Sequence, residues 1–167
     1  MADNNKAILA RKSPLTRTAA LAGPGGLGVR SQLEVFVVFT DVTRTLLALK
    51  RAADWARDLH GRIRLIVPQV VPYPLDLEHP QVLREFNQHQ LETIAAQQQV
   101  QTSVEMYLCR DVDVLLGQLL PENAAVVIAR RRRWWPTHEA ALARRLRRQG
   151  HEVILVPDHN SKEVHHA

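Results

Sequence analysis

Eight arginines fall within nineteen residues: Arg130-Arg131-Arg132-Arg133, then Arg144, Arg145, Arg147 and Arg148. Trp134 and Trp135 follow the first four, and Glu139 is the one acid in the stretch. Four adjacent like charges resist burial and call for solvent or counter-anions. Guanidinium forks match phosphate and carboxylate oxygens. Trp faces stack on bases or on arginine. Three readings follow. The run is a solvated loop whose tryptophans pack against the end of a sheet. Or Arg130, Arg131, Arg132, Arg133, Trp134, Trp135, Arg144, Arg145 and Arg148 form an anion site. Or the surface meets nucleic acid, an acidic protein or an anionic membrane surface. No helix-turn-helix, zinc-finger or RNP-type signature accompanies the arginines.

Other residues offer less chemistry. Cys109 is the lone cysteine, which excludes an internal disulfide and a multi-cysteine zinc site. It suits a reducing, cytoplasmic setting. A catalytic thiol wants a nearby base, and none is evident. The eight histidines lack ligand partners at helical spacing, so no metal is expected. Gly23, Gly25 and Gly28 spell a dinucleotide fingerprint. They precede the first strand, whereas the motif works only between a strand and a helix, so they read as linker. No nucleophile elbow or phosphate-loop motif is present, and no catalytic residue is assigned.

The chain has 167 residues and a net charge of +5. The charge is uneven. Residues 1–30 carry five basic and one acidic side chain, residues 31–129 eight and twelve, and residues 130–167 nine and four. The middle is acidic and both flanks are basic, which suits anionic partners. No apolar run reaches the roughly 18 residues that span a bilayer. Lys6, Arg11, Lys12 and Arg17 interrupt every short apolar stretch at the start, so no secretory signal is expected.

The elements that must position these groups alternate. Residues 1–30 read as a disordered basic arm. Leu33–Phe39 is a short apolar strand. Asp41 caps a helix over 43–60, with Leu46, Leu49, Ala53 and Ala56 as its stripe, Ala52, Trp55 and Leu59 beside it and Gly61 as C-cap. Residues 63–71 form a second strand, 72–80 a proline loop, 81–99 a polar helix, and 102–108 a third strand. Asp111 caps a short helix with Leu115, Leu116, Leu119 and Leu120. Residues 124–129 form a fourth strand, 137–149 a helix stopped by Gly150, and 152–156 a fifth strand. A polar tail, 158–167, closes the chain. Such alternation implies a parallel sheet with helices on both faces.

The layout of the domain at 31–157 resembles the universal stress protein family. The carriers are "VFVVFTDVTRTLLALKRAADWARDLHGRIRLIVPQVV", the short helix leading into "AAVVIA", and "RRLRRQGHEVILVP". The resemblance implies a flavodoxin-like α/β fold, akin to the adenine-nucleotide α-hydrolases. Its open sheet has five parallel strands in the order 3-2-1-4-5. It implies a nucleotide site at Asp41, Thr43, Val67, Ala129, Arg130 and Arg132, with ATP or AMP as ligand. Nucleotide-binding members carry G-x-x-G, nine residues, then G-[ST]. Here Ala129, Arg132 and Leu142 stand at those glycines, so the phosphate cradle is degenerate and no cofactor is expected. The reading is a non-enzymatic regulatory module, homodimeric through the strand at 152–156. The alternatives are a polyanion binder through 130–148, or a nucleotide switch using Asp41 and arginines.

Overall fold

Buried strands must satisfy every backbone group within the sheet, and the apolar runs at 34–38, 62–70 and 125–131 do so side by side. In the computed structural model, residues 33–75, 93, 100–131 and 137–158 are described, together with the backbone of 8–11. The strands are β1 (Ile8–Arg11), β2 (Glu34–Val38), β3 (Arg62–Val70), β4 (Thr102–Cys109), β5 (Ala125–Arg131) and β6 (Glu152–Asp158). The helices are α1 (Val42–Asp58), α2 (Val112–Leu119) and α3 (His138–Arg148). The sheet order is β1-β4-β3-β2-β5-β6. The five strands from β4 to β6 pair in parallel, in the expected 3-2-1-4-5 order.

β1 is the departure. It lies in the arm expected to be disordered, and pairs antiparallel with Met106–Cys109 of β4. Its apolar portion is only Ile8-Leu9-Ala10, too short for a period to show. β4 otherwise borders the sheet with unpaired backbone groups, which is a template for one more strand. The rest of the arm, the tail from 159, residues 76–99 apart from the helical Thr93, and Arg132–Pro136 lie outside the described residues.

Each sheet face carries its own core. Val35, Val37, Leu65, Val67, Val127 and Ala129 face α1. Phe36, Val38, Ile66, Val126 and Ile128 face α2 and α3. Alternate residues of one strand therefore serve opposite cores, which explains the unbroken apolar runs. The α1 stripe differs from its sequence reading. The buried face is Thr45, Ala48, Leu49, Ala52, Ala53 and Ala56, while Leu46 and Leu59 are exposed. Small side chains let the helix lie close to the sheet, and that rotates the larger leucines outward.

Gly61 is also not the C-cap. Leu59 caps α1, and His60 takes the left-handed conformation, at φ 51°. Gly61 is needed for proximity instead: a Cβ there would meet the Leu33 carbonyl oxygen at 2.7 Å. Gly150 does end α3 as expected, with φ 92°. No helix among the described residues is long and apolar enough to cross a membrane.

Candidate functional site

The strand order reverses at β2, which pairs with β3 on one side and β5 on the other. In open α/β sheets ligands bind in the crevice beyond the carboxyl ends at such a point. Two helix N-termini meet it, from α1 after β2 and from α3 after β5.

Asp41 is the N-cap of α1, and its Oδ1 accepts the Arg44 backbone N–H at 2.9 Å. That satisfies one of the orphan donors of the first turn. Its other oxygen pairs with the Arg44 guanidinium. Arg44 then reaches across the reversal and donates from Nη1 to Glu139 Oε1 at 2.8 Å. The Arg44 and Glu139 side chains are 15% and 19% exposed, so the bridge is largely withdrawn from solvent. Thr137 caps α3, its hydroxyl accepting the Ala140 backbone N–H at 3.3 Å. Burial pushes the Glu139 carboxyl up. Its own backbone N–H, the Thr137 hydroxyl and Arg44 outweigh that and hold it below the usual carboxylate range. Thr40 Oγ1, beside this cluster, is out of solvent contact with no partner among the described residues.

The other residues assigned to a nucleotide are less available. Val67 and Ala129 are core side chains beneath α1, leaving only backbone to meet a ligand. Thr43 is exposed on the first turn of α1, and Arg130 is half-buried at the end of β5. Leu142, at a glycine position of the family cradle, is buried.

The arginines do not all converge. Arg130 and Arg131 lie at the carboxyl end of β5. Arg145 pairs with Asp113 of α2, and Arg147 donates to the Val153 carbonyl at 2.7 Å. Arg144 and Arg148 are exposed, one turn apart, away from the buried Leu142, Ala143 and Leu146. Arg132, Arg133, Trp134 and Trp135 lie outside the described residues.

Two arrangements escaped the sequence reading. Arg64 on β3 forks onto Glu105 of β4, at 3.1 Å from Nε and 2.6 Å from Nη2, and reaches Glu34 of β2 at 3.4 Å. The Tyr107 hydroxyl donates to the same Glu105, which is buried. Arg64 also lies 5.2 Å over the Phe36 ring. Arg110 holds the chain after β3, donating to the Val71 and Leu75 carbonyls at 2.7 Å each and stacking on Tyr73. Cys109 ends β4 as a buried thiol, pushed up to about 11 by burial and then by Asp111. It is a poor nucleophile there. No metal-binding cluster occurs among the described residues.

No family model and no curated protein matches the sequence. A solved structure does: a protein from the universal stress protein family of Burkholderia pseudomallei. The TM-score is 0.54 at 21% identity, covering 81% of this chain and all of that one. The fold is that of a universal stress protein. Asp41 is committed to its cap and to Arg44. Asp41 and Glu139 share the Arg44 guanidinium, while Arg130 and Arg131 stand at the carboxyl end of the neighbouring β5. The sequence from 129 to 149 contains no glycine.

Proposed function

We propose that this chain is a non-enzymatic stress-response or regulatory module built on the universal stress protein fold, with a degenerate ATP site. The observation that carries the reading is the Arg44–Glu139 bridge across the strand-order reversal. A site held shut by its own charges has no place for a triphosphate, and without bound ATP there is no phosphoryl group to transfer. A thermal-shift titration with Mg-ATP, AMP and polyphosphate tests this. Ligand at 100 times its dissociation constant stabilises by about 2.7 kcal/mol, several degrees for a chain of this size. Mg-ATP and AMP are expected to give no shift at moderate salt. A salt-resistant shift specific to ATP would overturn the reading in favour of a nucleotide switch.

The second reading is an electrostatic binder of nucleic acid or another polyanion. The exposed Arg131, Arg144 and Arg148 favour it. Its mark in the same titration is a polyphosphate shift at low salt that disappears at moderate salt.

We further propose a homodimer through Glu152–Val156, in a cytoplasmic setting. β6 has β5 on one side and no other strand partner among the described residues; Arg147 takes the outward Val153 carbonyl, and the outer backbone groups beyond it can pair with a second copy. Light scattering is expected to give twice the chain mass at tens of micromolar. A concentration-independent monomer mass would remove the dimer from the account.

A further inference from the structure

We infer that Glu139 is a resident anion: its carboxylate occupies the place at the α3 N-terminus that a ligand's phosphate takes in a nucleotide-binding fold, and Arg44 holds it there. The inference rests on the closed-site reading and says what closed it.

The α3 N-terminus stands beyond the carboxyl end of β5, at the order reversal, where backbone N–H groups and the helix dipole favour negative charge. Glu139 lies in the first turn of that helix. The donors around it are those an anionic ligand would seek. Its own backbone N–H and the Thr137 hydroxyl come from α3, and a guanidinium comes from α1. Arg44 and Glu139 are 95 positions apart in sequence, so the bond joins the two halves of the sheet as a bound nucleotide would. Asp41, on the other side of Arg44, completes a charge chain from the α1 cap to the α3 cap.

The surroundings agree. Glycines that would bring backbone close to a phosphate are replaced by the fully buried Ala129 and the buried Leu142. Their side chains fill space in the two cores instead of leaving it for a ligand. A carboxylate on the helix itself supplies the negative charge at no cost in association entropy. The fold is thereby independent of a nucleotide for the bridge between its halves.

Removing the resident anion should therefore create a vacancy for an external one. The probe is inorganic pyrophosphate at millimolar concentration and moderate salt, read by thermal shift on the full chain. Glu139→Ala is expected to gain a saturable shift of about 3 °C that the unaltered chain lacks. Glu139→Gln keeps the shape and drops the charge, and should gain a smaller one. Arg44→Met in the Glu139→Ala background should abolish the gain. If neither Glu139 variant gains a shift while both unfold cooperatively, the inference fails. A gain that survives Arg44→Met also overturns it, since the anion would then be held by other arginines. These failures leave the closed-site proposal standing. Only an ATP-specific shift in the unaltered chain removes that one.

Discussion

Replacing Arg64 by methionine is expected to destabilise the fold by about 3–5 kcal/mol, because it leaves the Glu105 carboxylate buried without its guanidinium. That is roughly a 10 °C fall in Tm for a chain of this length. Glu105 is 6% exposed, accepts two bonds from Arg64 and one from Tyr107, and sits on a strand with neighbours on both sides. The cost is that of a buried carboxylate deprived of its forked guanidinium, not of the pair itself. The double variant Arg64→Met, Glu105→Leu should recover much of the loss. Urea unfolding of the single and double variants decides it. Equal stability of the two would show that the pair is not coupled. A pH limb accompanies the cluster. Burial, then the Glu105 hydrogen bond and charge, push the Tyr107 phenol up to about 12 from an ordinary value of 10. The folded state then holds a proton the unfolded chain has released. Stability should fall as pH rises from 10 towards 12, and Tyr107→Phe should flatten that slope.

The second large effect is expected at Leu49. The inner face of α1 is otherwise four alanines and a threonine, so Leu49 is the one large side chain the helix buries completely. Leu49→Ala should cost about 2–5 kcal/mol, as a cavity is left between helix and sheet. Leu46→Ala, on the exposed side of the same helix, should stay within about 0.5 kcal/mol. Denaturant unfolding compares them at equal chemistry. Similar losses at both positions would mean that α1 docks by a different face. The contrast bears on the site, since α1 carries Asp41 and Arg44 to the order reversal.

What sequence reveals here is local. Apolar runs of strand length and a helical period after Asp41 and Asp111 lead to a parallel sheet with helices on both faces, whereas the strand order comes from the family resemblance. Side-chain oxygens of Asp41 and Asp111 cap their helices as their positions suggest. The inner face of α1 is misjudged because ranking by hydrophobicity favours Leu46 over Ala48, whereas closeness to the sheet favours the alanine. β1 escapes because three apolar residues carry no period. The ionic partners escape for a different reason. Arg64 and Glu105 are 41 positions apart, and Arg44 and Glu139 are 95 apart. Only the assembled sheet brings them together. The arginine run misleads in the opposite direction. Adjacency in sequence suggests one surface, yet a helix distributes Arg145 and Arg147 to internal partners on different sides.

The two borders of the sheet differ in kind. Among the described residues, one ends on β1, a four-residue strand that runs against its neighbour, and the other on the seven-residue β6. If two copies join by a two-fold contact along β6, the combined sheet finishes on β1 at both extremities. A short terminal strand is a poor template for further pairing. Growth then closes at two chains instead of propagating into a filament, because the symmetric contact consumes the long border and leaves only blunted ones. In such a dimer, the fragment that escapes sequence periodicity would be the one that limits how large the assembly becomes.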